Sequence, residues 1–244
     1  MKRRWAAAIA ALALAGAAAV GIGMKRGGVP LERPPAERPT LALLTSLPLM
    51  FGESFGLESG GSAALTRLEQ GYNVLPIGVA DGASLAGQRL LLMAHPRAQP
   101  AEALVELDRW VRGGGRLLLL ADPRLDWPSE RPLGDRLRPP PAFADTGLLG
   151  HWGLSLSGPE PDGPASVGNG QHSILASSPG HLESKGGCSI VGEGFVARCR
   201  IGRGLATVIA DADFLNVDGQ GALDGPTEHN LDLLAAELAK LETH

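Results

Sequence analysis

The sequence predicts an α/β domain: a mostly parallel sheet with helices on both faces. Three observations carry that expectation. The runs TLALLT (40–45), RLLLMA (89–94), RLLLLA (116–121) and LATVIA (205–210) are apolar without alternation, as strands covered on both faces are. Between and after them lie helical periodicities, with Leu104, Leu107 and Val111 on one face of 100–112, and Leu231, Leu234, Leu238 and Leu241 on one face of 227–242. Several of the apolar runs stop at polar residues, namely His95-Pro96, Asp122-Pro123 and Asp211-Ala212-Asp213, as strands do at the carboxyl edge of an open α/β sheet.

The chain opens with Met1-Lys2-Arg3-Arg4, followed by twenty residues, Trp5–Met24, without a charged or polar side chain. At helical rise that run measures about 30 Å, one hydrocarbon core. Positive residues before it favour export of the downstream chain. Its Ala- and Gly-rich composition and the sites Ala15-Gly16-Ala17 and Ala17-Ala18-Ala19 equally suit a cleaved signal peptide. Residues 1–24 are therefore expected to be a transmembrane anchor or a signal peptide. The Pro-rich, charged stretch 25–39 is a stiff linker that would hold the domain off the membrane, and 40–244 is one α/β domain.

Within that domain 40–45 is a first strand, followed by a long Gly/Ser loop. Ser62 has the chemistry to cap a helix running to Gln70, with Leu65 and Leu68 inward. Strands follow at 72–77 and 89–94, then the helix 100–112, which ends at Gly113-Gly114-Gly115, then the strand 116–121. Residues 122–146 are too rich in Pro and charge for a regular element. A short helix at 148–152 leads into a strand at 154–156, and 157–187 reads as loops and short strands. Ser189–Val191 and Phe195–Ile201 form a hairpin near the C-terminus, before the last strand at 205–210 and the terminal helix.

Composition narrows the function classes. A formal net charge of −4 leaves no basic excess for phosphates, and aromatics at 4% leave few stacking platforms, so no nucleic-acid partner is expected. Cys188 and Cys199 are the only cysteines, an even number in a chain read as exported. If the hairpin turns at Glu193-Gly194, the two face each other as a hydrogen-bonded pair with Cα atoms about 5.5 Å apart, close enough for a disulfide. The alternative is two unpaired small hydrophobes. No histidine lies near them at ligand spacing, and the sequence points to no metal and no cofactor.

No G-x-S-x-G elbow, P-loop, HExxH or G-x-G-x-x-G appears, and neither cysteine sits after a strand at a helix start where a nucleophile would be activated. What remains is a set of polar residues at strand ends and in the first loop: Glu53, His95, Asp122, Asp211 and Asp213. If the strands are parallel, their carboxyl ends share one edge. These side chains are the candidates for ligand binding, or for acid/base work. Turn and cap chemistry alone also accounts for Asp at such positions.

Three stretches carry a family resemblance: PAEALVELDRWVRGGGRLLLLADP (100–123), GRGLATVIADADFLN (202–216) and EHNLDLLAAELAKL (228–241). They resemble the class I glutamine-amidotransferase-like domain of membrane-associated bacterial proteins of unknown function, a group related to the auxiliary subunit of gliding-motility and ABC-type transport systems. The matching positions are Trp110, Gly114, Gly115, Asp122, Pro123, Gly202, Gly204, Asp211, Asp213, Phe214, Asn216 and Asn230. The resemblance spans 40–242, with 124–187 matched only through LLGHWGL (148–154). It implies a flavodoxin-like fold and a membrane-tethered role outside the cytoplasm. It does not carry over amidotransferase activity, because RLLLLADPRLDW has no Cys at the elbow that the active enzymes use.

These readings favour a non-enzymatic envelope domain, anchored by residues 5–24 in a bacterial inner membrane with the domain in the periplasm, or released there after signal cleavage. It would bind a partner protein of a membrane complex, or a small ligand, as an accessory to an ABC-type transport or other envelope system. The rival is an envelope hydrolase acting through Glu53, His95, Asp122 and Asp211, which requires those side chains to meet in one concave pocket.

Overall fold

A computed structural model describes residues 32–51, 61–159, 162–218 and 221–243. In chain order the elements are β1 (Thr40–Thr45), α1 (Ala63–Gly71), β2 (Asn73–Pro76), β3 (Leu90–Ala94), α2 (Ala101–Arg112), β4 (Arg116–Leu120), α3 (Leu148–His151), β5 (Leu154–Ser157), β6 (Pro164–Gly168), β7 (Ser173–Ser177), β8 (His181–Ser184), β9 (Cys188–Val191), β10 (Val196–Ile201), β11 (Gly204–Ile209) and α4 (Asn230–Thr243). The fold is mixed α/β with a mostly parallel central sheet, ordered β2-β1-β3-β4-β11-β10-β9. The first five strands of that order are parallel, and the hairpin β9–β10 adds two antiparallel strands at one edge.

Non-alternating apolar sequence becomes two-sided burial. In β4, Leu118 and Leu120 pack with Leu68 of α1 and with Leu233, Leu234, Leu238 and Leu241 of α4. Leu117 and Leu119 point the other way, to Leu107 and Val111 of α2 and to Leu148 and Leu149 of α3. Each such side chain, fully buried, contributes about 1.5–3 kcal/mol. The inward face of α4 differs from the expected stripe: Leu233 is fully buried, whereas Leu231 is only half-buried. By contrast β2 lies at the sheet edge with Leu75 exposed, which is why Pro76 is tolerated there.

Local chemistry sets the element ends. The Ser62 hydroxyl accepts the Leu65 N–H at 3.1 Å and caps α1. After α2, Gly114 takes φ +120, and a Cβ on Gly115 would lie 2.4 Å from the Trp110 ring. Glycine is needed at both places. The β9–β10 turn has Glu193 at φ 53 and Gly194 at φ 94, with the Phe195 N–H donating to the Gly192 carbonyl at 3.0 Å. Positive φ at both central residues makes this a two-residue hairpin loop, which fixes the register.

That register pairs Cys199 with Cys188, and the two form a disulfide with Cα atoms 4.1 Å apart. The separation is shorter than the roughly 5.5 Å expected of a hydrogen-bonded pair. Such a bridge persists in an oxidising compartment.

In the stretch read as loops and short strands, two short antiparallel ribbons form, β5 with β8 and β6 with β7. Of the linker, residues from Glu32 onward are described, and they are tied to the domain. The Arg33 N–H donates to Gln70 O at 3.0 Å, and its guanidinium lies 5.1 Å over the Tyr72 ring and bonds Glu242 at 2.8 Å. Among the described residues no helix is long and apolar enough to cross a membrane. The segment 5–24, read as anchor or signal, lies outside the described residues.

Candidate functional site

β4 and β11 are adjacent and parallel, with Leu120 opposite Ile209. The ladder continues one step further through the Ala121 N–H to Ile209 O at 2.8 Å. Two residues past each strand end the chains therefore carry Asp122 and Asp211 side by side, and Asp213 joins them from the 3₁₀ turn Asp213–Leu215. One carboxylate oxygen from each lies within 4.8 Å of the others. All three residues are sealed, at 0%, 0% and 2% exposure.

Backbone amides hold them. Asp122 accepts the Arg124 N–H at 2.9 Å on Oδ1 and the Ala212 N–H at 2.8 Å on Oδ2. Asp211 Oδ1 accepts the Phe214 N–H at 2.8 Å, capping the 3₁₀ turn. Asp213 Oδ2 accepts the Asp126 N–H at 2.7 Å, tying the excursion after β4 to the end of β11. Asp211 Oδ2 has no hydrogen-bond partner. Arg124, two residues from Asp122, turns outward and pairs with Asp162 and Asp126.

Burial, reinforced by the neighbouring carboxylates, raises all three acids. Asp122 is pushed up to about 6 and Asp213 to about 8. Asp211 is raised well above the ordinary carboxyl range by burial first, then by Asp122 and Asp213. Like charges this close in a dry interior do not all ionise unaided.

His95 ends β3 at φ 44, fully buried. Its ring Nε2 lies 2.8 Å from Pro140 O, and Nδ1 has no partner. A carbonyl only accepts, so Nε2 carries the proton and Nδ1 is a bare lone pair. Burial pulls the ring down to about 4, so it is neutral at pH 7. His95 does not belong to the acidic group. Glu53 lies outside the described residues. The structure thus brings together three of the strand-end candidates and seals a fourth separately, under the 122–146 excursion.

Residues that sequence reasoning did not single out complete the edge. Asp126 Oδ2 accepts the hydroxyls of Ser177 and Ser178 at 2.8 and 2.7 Å. The Asn230 carboxamide bonds the backbone of Leu175 in both directions, at 3.1 and 2.8 Å, and closes the free edge of β7. Asn230 was visible only as a motif position, and nothing in the pattern of 122–146 distinguishes Asp126. Glu237, fully buried on α4, pairs with Arg198 at 2.7 Å and Lys240 at 2.9 Å. A groove of about 750 Å³ opens between the short ribbons, and its lining reaches the end of β11 through Gly180, whose N–H donates to Ala210 O at 2.7 Å, without including any of the three acids. Its lining includes Ser157, Gln171, His172, His181, Glu183 and Glu193.

No protein-family profile matches the chain, and no curated protein matches its sequence. Solved structures of similar fold include the mmIFT52 N-terminal domain, at TM-score 0.53 and 14% identity, with 84% of this chain and 98% of that one covered. The cytoplasmic protein STM1381 from Salmonella typhimurium LT2 is similar at TM-score 0.52 and 11% identity, with 83% and 99% covered. An exo-β-1,4-mannosidase, Op5Man5 from Opitutaceae bacterium strain TAV5, aligns at TM-score 0.49 and 14% identity over 84% of this chain. This chain spans only about a third of the mannosidase, 36% of its length. At 14% and 11% identity, the likeness to the mmIFT52 domain and to STM1381 is one of fold.

Proposed function

We propose that this is a non-catalytic, membrane-anchored envelope domain of the glutamine-amidotransferase-like group, which acts by binding a partner protein or small ligand as an accessory to a transport or other envelope complex. The order of its parallel strands, 2-1-3-4-5 when counted along the chain, supports a flavodoxin-like fold. The disulfide supports a periplasmic location, with residues 5–24 as anchor or cleaved signal.

One observation carries the non-catalytic reading. His95, Asp122, Asp211 and Asp213, the groups suited to acid/base chemistry at the carboxyl edge, have between 0% and 2% exposure. A general acid or base must reach its substrate directly or through one water. A hydrolase would need these groups in one concave pocket, and none of the four lines the groove between the ribbons, whose mixed polar and apolar lining leaves it available for recognition.

The test uses the full chain in mild detergent. Incubation with peptidoglycan fragments and envelope peptides is expected to give no product above a heat-treated control. Native electrophoresis of gently solubilised membranes is expected to place the chain in a complex larger than its own 25.2 kDa. Turnover that is abolished by Asp211→Asn would overturn the reading.

A further inference from the structure

We propose that Asp122, Asp211 and Asp213 bind one hard divalent cation, Ca²⁺, which locks the carboxyl ends of β4 and β11 together. This inference is independent of the binding role above. With one oxygen from each residue lying within 4.8 Å of the others, a point exists within about 2.8 Å of all three. Calcium–oxygen bonds measure about 2.3–2.6 Å, so a contraction of a few tenths of an ångström completes the contact.

Charge argues the same way. Three carboxylates sit at 0–2% exposure, and the nearby Arg124 guanidinium is spent on Asp162 and Asp126. Buried charge is tolerated when paired or bound to metal. Backbone N–H groups supply partial charge to this cluster but no full positive charge.

The independent pointer is Asp211 Oδ2. Asp211 is fully buried, its Oδ1 is committed to the Phe214 N–H, and Oδ2 is left without a partner beside two other carboxylates. Buried polar atoms are rarely left so, and each exception needs a physical cause. An oxygen-only donor set excludes the soft-ligand metals and suits Ca²⁺ or Mg²⁺. Mg²⁺ demands near-octahedral bonds of about 2.0–2.1 Å, a larger contraction of this cluster than Ca²⁺ requires. Ca²⁺ takes its oxygens in flexible geometry at about 2.3–2.6 Å, the closer fit to a cluster that offers one oxygen from each of three carboxylates.

The experiment uses the full chain, unfolded in EDTA and refolded with CaCl₂, with MgCl₂, or with EDTA retained. After desalting, the metal bound per chain is measured by plasma mass spectrometry, and the melting temperature is recorded. One Ca²⁺ per chain is expected after the CaCl₂ refolding. At free Ca²⁺ about a hundredfold above Kd the melting temperature should rise by about 5–10 °C over EDTA. Asp211→Asn and Asp213→Asn should each lose the bound ion and the shift, while Asp162→Asn keeps both. Should the Asp variants fail to fold, the metal content and the shift of the unaltered chain decide. Absence of bound Ca²⁺ with equal melting in CaCl₂ and EDTA would overturn the assignment. So would a shift with Mg²⁺ alone, or one that persists undiminished in both Asp variants.

Discussion

Replacing His95 by Asn should remove a pH-dependent part of the stability whose size follows from the ring's burial. The ring titrates near 6.5 when exposed and is pulled down to about 4 in the fold. Because the folded value is the lower one, the neutral ring stabilises the fold fully above pH 6.5. As pH falls below 6.5 the unfolded chain takes up the proton first, and the contribution is lost progressively until the folded ring also protonates near pH 4. A displacement of about 2.5 pH units corresponds to about 3 kcal/mol. Asn tolerates the positive φ of 44 at this position, so the backbone need not rearrange. The smaller side chain leaves a gap whose cost is the same at every pH. The buried acids stay in both proteins, and His95 is not among them, so their titration cancels in the difference. Urea unfolding of the parent and His95→Asn at pH 7.5, 6.5, 5.5 and 4 gives that difference. Parent minus variant should shrink by about 3 kcal/mol between pH 7.5 and 4. A difference that stays constant across the series would refute the sealed, neutral ring.

Two further perturbations address the frame around the site. Reducing the Cys188–Cys199 bridge, or replacing both cysteines by Ser, opens a loop of sequence separation 11 and should lower stability by about 2–3 kcal/mol in urea unfolding, with β11 and the parallel strands intact by circular dichroism. Glu237→Ala removes the buried partner of Arg198, Lys240 and Asn169 and should destabilise by about 3 kcal/mol; Arg198→Met together with Glu237→Met should recover only part of that loss in the same assay, since Asn169 still lacks its acceptor.

The parallel sheet was legible in the sequence because its strands are buried on both faces, and LLLMA and RLLLL show that as unbroken apolar runs. The hairpin register was legible because Glu193-Gly194 sets a two-residue turn, and the turn alone fixes which residues face. β2 carried a weaker signal, since an edge strand needs little burial and can accept Pro76. The convergence of Asp122 with Asp211 follows from parallel neighbours ending at the same level. Their sealing does not follow, because it is produced by the irregular excursion 122–146. That segment packs through Pro140 on His95 and through the Asp126 backbone on Asp213, contacts with no period to read. The groove was likewise invisible: it arises from the spacing of two separate ribbons, and its polar residues look like ordinary loop residues in the chain.

The carboxyl edge of this sheet is closed to solvent, with Asp122, Asp211 and Asp213 at 0–2% exposure. Carbodiimide labelling of the native full chain, followed by peptide mass spectrometry, reads this closure residue by residue. Asp162, whose side chain is 72% exposed, should label readily. Asp122, Asp211 and Asp213 should stay unmodified until the chain is unfolded. Labelling of Asp211 or Asp213 in the native protein at a rate comparable to Asp162 would contradict the claim and reopen the edge as a catalytic site.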